Sequence, residues 1–248
     1  MEHAFTRQRH ELKRRNLTVQ SKTALTPGMI RVVVTGDDLS DFTSLGADDH
    51  VKLFVPIGGE KPDMRDYTPR AYDRAARTLT LDFAVHDAGP ATRWAIDAKP
   101  GDPITIGGPR GSLIVPPTFD WMLLIGDETA LPAIGRRVEE APAGVRIMTV
   151  AAVADAAEEQ RFETKARHEA IWVHRPLDRA NDPAPLLDAV RALTLPEGDG
   201  FVWIAAEARV ARALRDHIVG ERGHPLAWTK ASGYWLKGVA DAHDKLED

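Results

Sequence analysis

Arg65-Asp66-Tyr67-Thr68-Pro69-Arg70 is the stretch from which the rest of the chain can be read. Pro69 removes one backbone donor and stiffens the segment. In an extended backbone Asp66, Thr68 and Arg70 share one face, and Arg65, Tyr67 and Pro69 the other. An arginine fork matches a phosphate, and a tyrosine offers a flat face to a ring system. Taken alone, the hexapeptide reads equally well as an edge strand with a solvated charge pair. The flanking sequence has to decide.

Around it the first half of the chain reads as short strands separated by turns. Residues 29–34 are β-branched and follow the turn Thr26-Pro27-Gly28, while Gly36-Asp37-Asp38 ends the run. Residues 50–56 alternate and then become apolar. Leu79, Leu81, Phe83 and Val85 alternate with Thr80, Asp82 and Ala84, a period-2 strand. Residues 91–98 read as a short helix stopped by Lys99-Pro100-Gly101-Asp102. Two more strands, 103–106 and 112–115, flank the tight turn Gly107-Gly108-Pro109-Arg110-Gly111, where Arg110 reaches either a phosphate or solvent. Many short strands with turns between them indicate a small barrel or sandwich.

Pro116-Pro117 reads as a linker, and the pattern changes after it. Residues 121–125 form a wholly apolar strand, as expected where both sheet faces are covered. Helix is expected over 129–140, a strand over 145–153, a polar helix over 156–170 and a strand over 171–174. Asp182 is the expected cap of a helix over 183–193. A strand over 201–206, an amphipathic helix over 207–222 with Val210, Leu214 and Ile218 inward, and a strand over 226–229 complete the series. Alternation of strand and helix indicates an open parallel sheet. The expected plan is two domains: an antiparallel β-barrel over 1–117, then an α/β domain with a mostly parallel open sheet over 118–248.

Composition narrows the chemistry. With 248 residues each half can bury its own core. A net charge of −5 supplies no field to recruit nucleic acid. There is no cysteine, which excludes disulfides, iron–sulfur clusters and thiol nucleophiles. No apolar run approaches membrane-spanning length, and no secretory leader is evident, so a cytoplasmic monomer is expected. The basic stretch from His3 to Lys22 reads as a solvated, partly frayed terminus. The nine histidines show no ligand spacing, so no metal site is expected.

Three further strings bear on function. In His86-Asp87-Ala88-Gly89-Pro90-Ala91-Thr92 a strand end runs into a helix start, whose first amides point free donors at an anion. Gly126-Asp127-Glu128-Thr129 lies at the C-terminal end of the first α/β strand, where open sheets bind ligands. Asp127 and Glu128 equally suit a helix start as caps. Asp155 follows the second strand, where an acid can hold an adenosine ribose. Arg161, Lys165, Arg167 and Arg175 are near enough in sequence to offer phosphate contacts instead.

Taken together, these strings resemble the siderophore-interacting proteins, the ferric-chelate reductase branch of the ferredoxin-reductase-like flavoproteins. The matching segments are Arg-x-Tyr-Thr-x-Arg at 65–70, His-x-x-Gly-Pro-Ala-x-x-Trp-Ala at 86–95, Gly-Asp-Glu-Thr-Ala-Leu-Pro-Ala at 126–133 and Gly-Tyr-Trp at 233–235. They stand in the family's order over 26–238. Where the family carries a base directly after this tryptophan, the chain has Leu236, with Lys237 one position later. The resemblance implies FAD held by Arg65, Tyr67, Thr68, His86, Gly89, Ala91 and Thr92, with Thr68 bonded to the flavin N5. It implies a nicotinamide nucleotide, NADPH or NADH, against Gly126, Asp127, Glu128, Thr129, Ala205 and Glu207. It implies a ferric siderophore or other ferric chelate as substrate, met by a rim of Arg70, Lys52, Lys230, Lys237 and Trp235. Arg70 has an ion pair as its alternative place. Rival readings are a same-fold flavin reductase or electron-transfer protein with another acceptor, and a non-enzymatic siderophore-binding protein.

Overall fold

The computed structural model describes residues 3–56, 62–85 and 89–238, together with the backbone of 244 and 245. The chain divides into two compact units. One is Ala4–Pro116; the other is Pro117 onward together with His3.

In the first unit the period-2 segments become antiparallel strands: β1 (Thr6–Arg9), β2 (Arg14–Thr26), β3 (Met29–Thr35), β4 (Val51–Val55), β5 (Asp63–Tyr67), β6 (Ala71–Asp73), β7 (Thr78–Ala84), β8 (Pro103–Gly107) and β9 (Gly111–Ile114). Among the described residues the main sheet runs β5-β4-β8-β2-β3-β7-β6, and β1 pairs with β9. Its edge strands β5 and β6 are joined by only Thr68, Pro69 and Arg70, so the sheet curls on itself. Leu17, Val32, Val34, Leu53, Leu79, Leu81, Phe83 and Ile106 fill the interior. The helix α1 (Pro90–Asp97) turns Ala91 and Ala95 onto that core, with Trp94 packed against it.

The basic N-terminal stretch is ordered strand, contrary to the expected frayed terminus. Arg15 is 6% exposed and donates to the Asp41 carboxylate and the Asp38 carbonyl. Alternation in β2 buries Arg15, Leu17 and Val19 on one face and leaves the intervening polar residues outside. The charges that suggested solvation occupy the outer face or find acidic partners.

The second unit contains β10 (Trp121–Asp127), α2 (Leu131–Glu140), β11 (Arg146–Val153), β12 (Arg167–His174), α3 (Ala184–Arg191), β13 (Gly200–Glu207), α4 (Ala208–Arg215) and β14 (Thr229–Trp235), with β15 at Asp244–Lys245. The sheet order is β12-β11-β10-β13-β14-β15. Adjacent strands from β12 to β14 are parallel, and β15 is antiparallel. Every residue of β10 and β13 is buried, as their apolar runs require, and the burial extends to the acids that end them, Asp127 and Glu207.

Two expectations in this half are corrected. The polar helix over 156–170 does not form. Asp155 caps a single 3-10 turn at Ala156–Glu158, and β12 begins at Arg167. The segment has helix-forming residues but no apolar stripe to bury, and propensity alone does not hold a helix in a folded chain. The fifth strand is also later than expected. Pro225 opens a 3-10 turn at Leu226–Trp228, closed by Trp228 N to Pro225 O at 3.0 Å, and the strand starts at Thr229. The amphipathic helix after β13 ends at Arg215 and widens into a π turn at Asp216–Glu221; Val210, Leu214 and Ile218 are all buried. No helix among the described residues is long and apolar enough to cross a membrane.

Candidate functional site

On the first unit, β5 and the start of α1 bring two separated stretches of sequence together. The Tyr67 hydroxyl hydrogen-bonds to the Thr92 side chain. Burial pushes the Tyr67 pKa upward, more than that bond lowers it. Its ring lies 4.3 Å from that of Phe83. Thr92 and Thr68 are both buried, at 7% and 8% exposure. Arg65 shares the Tyr67 face; its Nη1 donates to Asp63 Oδ1 at 2.6 Å and to the Met64 carbonyl at 2.8 Å.

The first turn of α1 has the backbone pattern of an anion-binding helix start. Gly89 is the N-cap, no side chain among the described residues caps the helix, and Pro90 has no N–H to give. Arg93 N is the first amide to bond back, to Gly89 O at 2.9 Å, so the amides of Ala91 and Thr92 precede the helical ladder. These features fit a flavin dinucleotide: free helix amides and an arginine for a diphosphate, and buried hydroxyls beside an aromatic ring. His86 lies outside the described residues.

The basic residues expected at a substrate rim have partners. Arg70 is 6% exposed and faces Asp82 Oδ2 at 3.7 Å, so the ion pair, not the rim, is where it lies. Asp82 also takes the Arg31 fork, with Nε and Nη2 each at 2.7 Å. Lys52 pairs across the β4–β5 ladder with Asp66 at 2.9 Å. Lys237 donates from Nζ to the Asp178 carbonyl and from its amide to Glu207 Oε1 at 3.3 Å. Lys230 is half-buried on β14, in register with Trp203.

On the second unit, the C-terminal ends of β10, β13 and β14 meet at one carboxylate. Asp127 is 1% exposed. Its Oδ1 accepts from Thr129 N at 2.9 Å and Thr129 Oγ1 at 2.6 Å; its Oδ2 accepts from Glu207 N and Trp235 Nε1, both at 2.9 Å. Glu207 is fully buried and caps α4, with Oε2 accepting from Arg209 N at 2.7 Å and Val210 N at 3.4 Å. Glu128 holds the Arg175 fork, Nη2 to Oε2 at 2.7 Å and Nη1 to Oε1 at 3.3 Å. Burial, with the Asp127 charge second, pushes the Glu128 carboxyl up to about 6 even so.

The acids expected to meet a nucleotide are therefore engaged within the unit, and Trp235 is fastened to the strand ends. Gly126 also has an internal reason: a Cβ there would lie 2.4 Å from Ala130 Cβ and 2.7 Å from the Ala205 carbonyl. Asp155, at the end of β11, accepts from Ala157 N at 2.8 Å. The Gly108–Ser112 turn is structural. Ser112 Oγ donates to the buried Asp49 at 2.5 Å, accepts from Leu45 N at 3.0 Å and lies 2.8 Å from His10 Nε2.

Sequence reasoning missed the Tyr67–Thr92 bond, the Glu128–Arg175 pair and the Asp127–Trp235 bond. These partners lie 25, 47 and 108 residues apart. It also passed over Asp63, which the alternation Asp63-x-Arg65-x-Tyr67 places on the face of the other two.

A curled antiparallel sheet carrying an anion-ready helix start, followed by a parallel sheet with helices, defines the two-domain flavin reductases of the ferredoxin-reductase type. Residues 119–238 match the model for siderophore-interacting protein, and residues 18–63 and 56–113 match that for the siderophore-interacting FAD-binding domain. The NADPH-dependent ferric-chelate reductase of Escherichia coli K12 is 32% identical, covering 92% of this chain and 95% of the relative. The ferric vibriobactin reductase ViuB of Vibrio cholerae is 26% identical, covering 88% and 87%. A siderophore utilization protein from T. fusca superposes with a TM-score of 0.90 at 36% identity, over 98% of this chain and 99% of that one. The siderophore-interacting protein SipS of Aeromonas hydrophila gives 0.79 at 29% identity, over 94% and 93%. The chain belongs to the siderophore-interacting protein family, and it is a flavin-dependent oxidoreductase with FAD as its cofactor.

Proposed function

We propose that the protein reduces ferric siderophores or related ferric chelates with electrons from NADPH or NADH and so releases the iron as Fe(II). The observation that carries this reading is the Tyr67–Thr92 bond. It joins the ring-and-arginine face of β5 to the free amides of α1, which is what a cofactor with a ring at one end and a diphosphate beyond it requires. Arg65, Tyr67, Thr68, Gly89, Ala91 and Thr92 are the residues proposed to hold it. When bound, FAD accepts two electrons as hydride and passes them on singly to Fe(III). The chain's own work is to bind, orient and exclude water. Arg65 and the Ala91 and Thr92 amides neutralise the diphosphate, Tyr67 covers the ring, and Thr68 bonds to its N5 edge.

The ends of β10, β11 and β13, with Thr129, Asp155 and Ala205, are the proposed edge for the nicotinamide nucleotide, as in other open sheets. NADPH is favoured as donor by the name of the Escherichia coli relative, whereas Asp155 would disfavour a 2′-phosphate. Lys52, Lys230 and Lys237 would attract an anionic ferric chelate even while internally paired. A monomer in the reducing cytoplasm suits a chain without cysteine.

The test is the visible spectrum of the FAD-loaded protein, recorded anaerobically before and after NADH or NADPH, then after a ferric siderophore. Bleaching by the donor and recovery with one flavin reoxidised per two Fe(II) support the reading. Recovery with quinones or free flavins but not with ferric chelates would sink it. So would Arg65→Ala and Tyr67→Ala variants that keep FAD as tightly as the parent.

A further inference from the structure

Alternate residues of β5 face one side, and that side has a member the flavin site above does not use. Asp63 stands opposite buried Val55 on β4, as Arg65 stands opposite Leu53 and Tyr67 opposite Val51. Its Oδ1 accepts from Arg65 Nη1 at 2.6 Å. Its Oδ2 is buried and meets no hydrogen-bond partner among the described residues. A buried carboxylate oxygen without a donor is costly, and native structures keep one where a partner arrives from outside. The Asp63 and Arg65 charges both act on the Tyr67 hydroxyl, in opposite senses, so the three side chains form one electrostatic unit.

We propose that Asp63 is a further cofactor-binding residue: Oδ2 accepts a hydroxyl of the adenosine ribose of FAD, while Oδ1 holds Arg65 towards the diphosphate. The inference rests on the flavin site proposed above. Same-face residues of a strand are about 7 Å apart. With Tyr67 at the ring and Arg65 at the diphosphate, the next step in the same direction reaches the nucleoside half. A carboxylate beside a diphosphate would only repel it unless something donates to that carboxylate. A ribose hydroxyl does so, and an acid on a ribose is a recurrent solution in dinucleotide sites.

The experiment titrates flavin-free protein with FAD and, separately, with FMN, which lacks the adenosine, and follows quenching of flavin fluorescence. In Asp63→Ala, FAD affinity falls about tenfold, as expected for one charged hydrogen bond, while FMN, which loses only the positioning of Arg65, weakens by no more than about threefold. Asp63→Asn, which keeps an acceptor oxygen and the side-chain volume, falls between the parent and the alanine variant for FAD. It serves alone if the alanine variant does not fold. Arg65→Ala weakens both flavins. The proposal is overturned if Asp63→Ala binds FAD as tightly as the parent, or more tightly, because the carboxylate then merely competes with the diphosphate for Arg65. It is also overturned if FAD and FMN lose affinity equally, because Asp63 then acts only through Arg65. Undiminished FAD binding by Arg65→Ala would instead remove the flavin site itself, and this inference with it.

Discussion

Asp127→Asn is the substitution whose consequence can be worked most fully. Asp127 takes four hydrogen bonds among the described residues, two on each oxygen, at 1% exposure. An asparagine keeps one acceptor oxygen and turns the other into a donor. If the new NH2 faces Glu207 N and Trp235 Nε1, two N–H groups are left pointing at N–H groups. If it faces Thr129, the hydroxyl can rotate to accept, and only the Thr129 amide is stranded. The second arrangement costs less, and losing a charged acceptor while burying one orphan donor amounts to about 3 kcal/mol. Asp127→Ala strands three N–H donors and costs on the order of 5 kcal/mol. Trp235→Phe removes a single donor and costs about 1 kcal/mol beyond any change in ring packing. Urea unfolding followed by tryptophan fluorescence and far-UV circular dichroism measures all three. A double-mutant cycle of Asp127→Ala with Trp235→Phe, which removes both ends of the Trp235 bond, should give a coupling of about 1 kcal/mol. An Asp127→Asn protein within about 0.5 kcal/mol of the parent, or a cycle with no coupling, would refute the view that this carboxylate ties β10, β13 and β14 together.

The remaining expectations are simpler. Gly126→Ala puts a methyl 2.4 Å from Ala130 Cβ, where a helix start and a strand end already touch, and should destabilise the second unit by about 3 kcal/mol in the same urea assay. Arg222 donates to the carbonyls of Val190, Arg191 and Leu193 at 2.8, 2.9 and 3.0 Å, closing the end of α3. Arg222→Ala should cost about 2 kcal/mol and speed amide exchange selectively in α3; unchanged α3 protection would contradict this. The Glu128 carboxyl is raised from an ordinary 4.5 to about 6, chiefly by burial. The folded chain therefore holds that proton more tightly than the unfolded one. The stability this adds is complete below about 4.5, is lost as pH rises through about 6, and amounts to about 2 kcal/mol. Denaturation midpoints across pH 4 to 8 should show this slope in the parent and lose it in Glu128→Gln; parallel profiles would refute it.

Much of the fold was legible because burial imposes a period. Leu79, Leu81 and Phe83 alternate along β7 and are all buried, and β10 and β13 are apolar up to their terminal Asp127 and Glu207 because helices lie on both faces of a parallel sheet. The segment 156–170 misled because helix-forming residues without an apolar stripe gain nothing from packing. The N-terminal charges misled for the converse reason. A strand hides one residue in two, so Arg14, Asn16 and Thr18 stay outside while Arg15 goes in to Asp41.

The candidate sites divide along the same line. By itself the sequence determined the residue types and their local geometry. Arg65 and Tyr67 two apart on one strand face, a glycine and a proline before the amides of Ala91 and Thr92, and an acid-and-threonine turn closing β10 all follow from backbone periodicity and helix-start chemistry. Tertiary structure alone decided which of those groups have their bonding capacity used up. Tyr67 found Thr92, Glu128 found Arg175, Arg70 found Asp82, and Asp127 gathered Glu207 and Trp235. Such pairings depend on which strands lie side by side, and strand order is set by the burial of whole sheets, so no local stretch of sequence contains it. The opening hexapeptide shows the division. Its arginines are of one residue type, five positions apart, yet one shares the Tyr67 face with a carboxylate whose second oxygen meets no partner among the described residues, and the other is buried against Asp82.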